Sequence, residues 1–481
     1  MDISDPSANG VKQKSPGQSP GKTDPKIPVG VKIAYGGAEG ASSLLFTVVA
    51  IYFLIFLTDV VGMSPRLASL VLFASNAWDA LADPFMGVIT DRTKSKYGRR
   101  RPYLLGIALP FALIFWLIFT TPHLHGPALF AYFLVMSILM RTAITVLDVP
   151  YTALAPEMTK DYDERTSLVS YRTVWSQVTS IIGATMMPLV VRHFSDPKTG
   201  WSAAGAFFGA ICILPILLTW RFTRGWERYS ADLRPLNLKD MSEAVFGNRT
   251  FRYVIGIYLF CLTAIYASGA VAPYFLQYWM NFSEGDQSIF FGVLFTCTIV
   301  WVPLIALASN KLGKCAALII FMGSWALTYG VGALLVQPGQ KIFLYILAAL
   351  ASGGVAAAYQ LTWAIIPDVV EIDEFKTGAR REGLYYGVAI FIQKTGSAVS
   401  LLIVGQILGW IGYVPNAAQS SSALFGIRMM FGPLIATMLI FSIILAYFMP
   451  KTRDRHRALV KAIEQKRANL PYDDSGFRDL L

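Results

Sequence analysis

The sequence predicts an all-α integral membrane protein of twelve transmembrane helices in two six-helix lobes. Three observations carry that prediction. The first is composition: of 481 residues, 54% are hydrophobic and only 15% charged, with a mean hydropathy of +0.50, whereas a soluble domain carries about 25% charge. The second is twelve apolar runs, most of which match the roughly 20 residues that cross a hydrocarbon core of about 30 Å. The third is a charged connection over 224–250, which divides the runs into six and six.

In chain order, residues 1–30 are rich in Pro, Ser, Gly and Lys and lack an apolar core. They read as a disordered cytoplasmic tail and not as a signal peptide. The first lobe (31–223) holds runs at 34–60, 66–90, 103–122, 127–152, 169–192 and 202–223. The second (251–449) holds runs at 251–280, 288–309, 315–335, 341–366, 382–411 and 422–449. Pro110, Pro188 and Pro273 fall inside runs, as membrane helices allow when neighbours satisfy the freed backbone groups. The basic tail (450–481) contains RALVKAIEQKRANL, the pattern of a short amphipathic helix on the inner surface. Cys212, Cys261, Cys297 and Cys315 lack metal-like spacing and read as small core residues.

Basic residues alternate between connections. Arg92, Lys94, Lys96, Arg99, Arg100 and Arg101 follow the second run, and Arg224, Arg228, Arg234, Lys239 and Arg249 fill the central connection. The intervening connections are nearly free of them, which places both termini in the cytoplasm of a multi-pass inner-membrane protein. This asymmetry accounts for most of the net charge of +11 and removes the need for nucleic-acid binding. A weak echo links the halves: Gly87-Val-Ile-Thr-Asp91-Arg92 with Gly98-Arg99-Arg100 in one, Ser309-Asn310-Lys311-Leu312-Gly313-Lys314 in the other. Repeated halves of this kind occur in the major facilitator fold, with substrate held near the midplane.

Chemistry is concentrated inside the spans. Asn76, Asp79 and Asp83 recur at three and four residues, hence on one helix face. A mid-span carboxylate costs about 2.5–3.5 kcal/mol, so a pair of them marks a cation or proton site. Arg141, Thr145 and Asp148 form a second stripe on the fourth run. Carboxylates with a Thr hydroxyl are hard ligands for a small cation; alternatively, like charges in low dielectric let one hold a proton. A purely structural role, in which these acids pair with Arg141, Arg172 or Lys394, remains the competing reading. Asp148 suits either cation or substrate. Glu39, among Gly36, Gly37 and Gly40, reads as a substrate acceptor or an Arg partner. Arg141 either neutralises the acid cluster or binds an anionic substrate group. Tyr359, Gln360 and Trp363 can wall a sugar ring.

The connections 91–102 and 367–383 are dense in both charges. Asp91, Arg92, Arg99, Arg100, Asp373, Glu374 and Arg380 read as an inner gate whose ion pairs exchange as the lobes rock. No Walker sequence and no intramembrane His appears, so ATP-driven transport is not expected. Nor is an enzyme or any cofactor beyond a coupling ion, H+ or Na+.

These motifs together resemble the glycoside–pentoside–hexuronide:cation symporter family of the major facilitator fold. The matching stretches are Lys32-Ile-Ala-Tyr-Gly-Gly, Thr58-Asp-Val-Val-Gly, Trp78-Asp-Ala-Leu-Ala-Asp-Pro-Phe-Met-Gly, the Asp91–Pro102 turn, Thr145-Val-Leu-Asp-Val-Pro-Tyr, Ser170-Tyr-Arg, and Asp373-Glu-Phe-Lys-Thr-Gly with Glu382-Gly. The resemblance implies a cation site at Asp79, Asp83 and Thr145, with Asp148 beside both cation and sugar. It also implies substrate contacts at Arg172 and Lys394. Ser43 and Thr152 stand where one sugar carrier of the family has a substrate-binding Asp and a sugar-contacting Trp. Ala82 stands where that carrier has a sodium-supporting Asn, which favours H+ over Na+. The expected activity is uptake of a sugar, glycoside or hexuronide by a monomer in the bilayer. An amphiphile such as a lysolipid, or a non-transporting sensor, are the alternatives.

Overall fold

The computed structural model describes residues 26–227, 245, 247–378, 381–449, 453–468, 470–475 and 477. Most of the 1–30 tail lies outside the described residues. So does most of the 224–250 connection, with Arg228, Arg234 and Lys239, as well as Arg380. Thirteen helices carry the argument: α1 (Val29–Val60), α2 (Pro65–Arg92), α3 (Arg101–Ile118), α4 (Gly126–Met158), α5 (Tyr162–Val191), α6 (Pro197–Phe222), α7 (Arg249–Trp279), α8 (Glu284–Leu312), α9 (Lys314–Leu335), α10 (Lys341–Thr377), α11 (Glu382–Trp410), α12 (Ser421–Phe448) and α13 (Arg453–Arg467). No strand occurs among the described residues.

Eleven of these helices are long and apolar enough to cross a membrane. The twelfth, α2, has 28 residues but is diluted by Asn76, Asp79 and Asp83. Local chemistry sets several helix starts. The side chains of Asp161, Asp196, Asn248 and Ser420 accept the first free backbone N–H groups of α5, α6, α7 and α12, and Ser283 with Asp286 forms a reciprocal capping box on α8. Helices α5 and α10 extend beyond the expected 169 and 366, because polar segments continue the helix outside the apolar run. Gly313 turns α8 into α9 with φ of 90°, a conformation open to glycine.

The first half packs α1 on α5 and α6, α3 on α4 and α6, and α2 on α4. The second half packs α7 on α11 and α12, α9 on α10 and α12, and α8 on α10. Adding six to each label of the first set gives the second. The repeat that the sequence only echoes is thus complete in the packing. Between halves, α2 meets α11, α5 meets α8, and α1 meets α7. The α2–α11 approach is close: a Cβ on Gly405 would lie 2.3 Å from the Ser69 Cβ.

The tail helix α13 departs from expectation. Its apolar face is buried against α10 instead of being free for lipid: Leu459, Ala462 and Ile463, with Phe477, pack on Ile372 and Phe375. Lys466 Nζ donates to the Phe375 carbonyl at 2.7 Å, and Arg467 pairs with Glu374.

Candidate functional site

Asp79 and Asp83 project from α2 toward α4 and α11. The Thr145 hydroxyl on α4 is 3.2 Å from Asp79 Oδ1 and 2.9 Å from Asp83 Oδ1. From the other half, Lys394 Nζ on α11 reaches Asp79 Oδ2 at 2.8 Å and Asp83 Oδ2 at 2.5 Å. One ammonium therefore bridges two carboxylates across the interface between halves. A hydroxyl has a single proton to donate, so Thr145 satisfies one Asp at a time and Lys394 carries most of the compensation. Asp79 is nearly enclosed, with 8% of its side chain accessible, whereas Asp83 keeps 32%. Asn76 completes the stripe, its amide oxygen 3.4 Å from the donating hydroxyl of Ser397. Two carboxylates and a hydroxyl at these distances form an oxygen set fit for a proton or small cation, with Lys394 in direct competition for it.

Arg141 lies one turn from Thr145 on α4. It is buried and sits over the Phe46 ring, 5.9 Å from the centroid. Its Nε has no hydrogen-bond partner. Among the described residues no ion pair joins it to the acid cluster, where Lys394 takes that role.

The expected set of four cation residues divides in two. Asp148 is three positions past Thr145, about 60° around the helix, and faces α1 instead of α2. Ser42 Oγ donates to Asp148 Oδ2 at 2.9 Å, while Oδ1 is buried without a partner. Nearby on α1, Glu39 pairs with Arg172 Nε of α5 at 2.5 Å. Ser43 Oγ lies 3.4 Å from Glu39 and 2.7 Å from Ser176 Oγ. The Arg172 guanidinium also sits over Tyr151, 5.6 Å from the ring centroid. The result is a polar wall on the first half. On the second half, Tyr359 is exposed on α10, Gln360 Oε1 is buried without a partner, and Trp363 stacks on Tyr386 at 5.9 Å.

At the basic end the following ion pairs each lie within one half. Arg100, 1% exposed, bonds Asp91 at 2.6 Å and Glu157 at 3.2 Å, and Arg99 reaches Glu157 at 2.5 Å. Asp373 holds Arg381 through both oxygens, at 2.6 and 2.8 Å. Glu374 is taken by the tail, and Arg92 is exposed. Asp91 and Glu157 find their cations just before α3, Asp373 just before α11 and Glu374 on α13. Sequence reasoning missed Glu157, which sits at the apolar-looking end of α4. It also missed Asp59, quoted only within a motif, although an acid closing an apolar run was a usable signal.

Comparison with known proteins agrees with this geometry. Residues 34–453 match the family model described as MFS/sugar transport protein. The chain is similar to the uncharacterized symporter sll1374 of Synechocystis, with 29% identity over 92% of this chain and 98% of the relative. It is also similar to a putative sulfoquinovose importer of Salmonella typhimurium, 28% identical over 92% and 94%. Among solved structures, a point mutant of the nucleoside transporter NupG superposes with a TM-score of 0.65 at 12% identity, covering 87% of this chain and 98% of that one; this likeness concerns the fold alone. The relatives are transporters, and the chain is a multi-pass membrane protein with the major facilitator fold. With the family model spanning nearly all of its helices, the chain belongs to the MFS/sugar transport protein family.

Proposed function

We propose that the chain is a secondary active symporter that couples H+ entry to uptake of a sugar, glycoside or hexuronide by alternating access. The observation that carries this reading is the Asp79–Lys394–Asp83 bridge. An ammonium from one half held by carboxylates of the other must be released whenever the halves part at that point, and a proton or cation arriving at the carboxylates competes for it. Ion occupancy and lobe position are then linked, as coupling requires. The described inter-half hydrogen bonds run from Thr58 to Asp83, which supports reading this form as closed at the Asp59 end and open toward the basic end. The basic turns support an inner-membrane orientation with both termini in the cytoplasm. The substrate-binding set comprises Glu39, Asp148, Arg172 and Tyr359 around the midplane.

Sodium needs several oxygens at once, and Ala82 offers no side-chain oxygen between the two Asp residues, whereas a proton needs one carboxylate. Uptake of a labelled sugar panel is therefore expected to collapse with a protonophore and to persist when choline replaces sodium. Transport that instead rises saturably with millimolar sodium at fixed pH would make Na+ the coupling ion.

Arg141→Gln separates substrate classes. Its guanidinium is buried and, among the described residues, without an ion pair, so a uronide or other carboxylated sugar would find a free charge-assisted donor there. Losing that bond costs about 1.5–3 kcal/mol and raises KM for such a substrate while leaving kcat little changed. For a neutral glycoside the change falls on ion coupling. Kinetics and coupling both equal to wild type would exclude either role.

A further inference from the structure

At the end of the molecule away from the basic turns, a single carboxylate joins the halves through neutral donors. Asp59 lies in the π-helical turn Phe56–Val60 that closes α1. Tyr278 lies in the corresponding π-helical turn, Phe275–Trp279, that closes α7. The Tyr278 hydroxyl donates to Asp59 Oδ2 at 2.5 Å, and the Tyr413 hydroxyl, from the connection after α11, donates to Oδ1 at 2.5 Å. Thr58 Oγ1 adds a third donor at 2.7 Å and is itself 2.8 Å from the Tyr274 hydroxyl. Asn416 donates its side-chain amide to the Asp59 carbonyl and its backbone N–H to the Tyr278 oxygen at 3.1 Å.

Three features set this arrangement apart from an ordinary helix end. The two π-helical turns occupy equivalent places in the two halves and face one another, and such turns concentrate at functional sites. Asn416 adopts φ of 53°, a left-handed conformation that non-glycine residues rarely take up. Among the described residues, no cation pairs with Asp59. A carboxylate caged by hydroxyls parts from its partners cheaply: water replaces each donor, and no second charge is stranded in the opposite half. At the same end lies a cavity of about 700 Å³ whose lining includes Asp59, Gln277 and Asn416, so the cluster borders open space there.

We propose that Asp59 is the latch of the outer gate, clasped by Tyr278, Tyr413 and Asn416 when the halves close at this end and released when they open to admit substrate. This rests on the alternating-access reading, but its test needs no substrate. The full chain is purified in detergent with Cys212, Cys261, Cys297 and Cys315 replaced by Ala. One reporter, Ser69→Cys, is sealed at the α2–α11 contact, where Ser69 has 0% exposure. A second, Thr152→Cys, lies one turn beyond Asp148 and is exposed. Alkylation by a bulky polar maleimide is timed for each reporter.

Losing one charge-assisted hydrogen bond shifts a two-state equilibrium by about tenfold. Tyr278→Phe and Tyr413→Phe, each of which deletes one oxygen, are therefore expected to speed labelling of the Ser69 reporter by about tenfold each and to slow labelling of the Thr152 reporter. A merely loosened fold would speed both, and that result overturns the latch. So do unchanged rates at both reporters in the double Tyr→Phe variant. Faster labelling at Ser69 with no change at Thr152 keeps the latch and overturns alternating access instead. Asp59→Asn, which retains one acceptor oxygen, is expected to fall between the parent and Asp59→Ala.

Discussion

Asp79→Asn and Asp83→Asn are each expected to abolish uphill accumulation while leaving a folded, inserted protein. Asn keeps the shape of Asp and its carbonyl oxygen still accepts from Thr145, so the α2–α4 contact survives. Exchanging a mid-span carboxylate for a neutral amide lowers the insertion cost, and Lys394 retains one carboxylate in either variant. What is lost is the second charge for which the coupling ion competes with Lys394. Substrate should then equilibrate across the membrane without being concentrated, and counterflow exchange should persist in part. Asp79 is the more enclosed of the two, so Asp79→Asn should also shift thermal stability more. Accumulation at the wild-type level in both variants would sink the coupling role.

Much of the architecture was legible because membrane spans are a compositional signal: twelve apolar runs, with charge confined to their ends, leave few alternatives. The internal repeat was nearly invisible. Its five pairings per half join segments far apart in the chain, and such pairings leave no period in the sequence. Helix ends were misjudged where polar residues prolong α5 and α10, since periodicity weakens once the apolar run stops.

The acid pair was legible from spacing alone. The partner that dominates it was not, since Lys394 lies 311 positions from Asp83 and the residues offered three cations as candidates. The side that Asp148 faces was not legible either. Three residues past Thr145 turns a side chain from α2 toward α1, and only the packing of α4 against both helices reveals which way each points. The gating segments were recognisable as charge-dense, but partner choice was not. Glu157 and the tail's Arg467 supply partners to which the sequence did not point. Asp59 escaped because its donors come from two π-helical turns and a loop, none of which has a sequence period.

Lys394→Met should be the most disruptive single change at the interface, and it separates structure from coupling. Without the ammonium, Asp79 and Asp83 share one Thr145 proton donor. Stripping a buried charge of its partner costs about 3–5 kcal/mol, lessened here because Asp83 retains access to solvent. Uphill transport should be lost and the melting temperature lowered. Adding Asp83→Asn restores the native net charge of the cluster, so the double variant should regain most of the stability but none of the accumulation. Lys394→Arg makes the opposite point: a guanidinium forks onto both carboxylates, so stability should hold while transport falls, because the bridge no longer yields to the arriving ion. Sodium chloride against choline chloride then reads the vacated site directly. If a metal cation can take the place of the ammonium, sodium alone will raise the melting temperature of Lys394→Met; if the site accepts only protons, lowering the pH will do so instead. Wild-type stability and accumulation in Lys394→Met would mean that the bridge serves neither coupling nor cohesion.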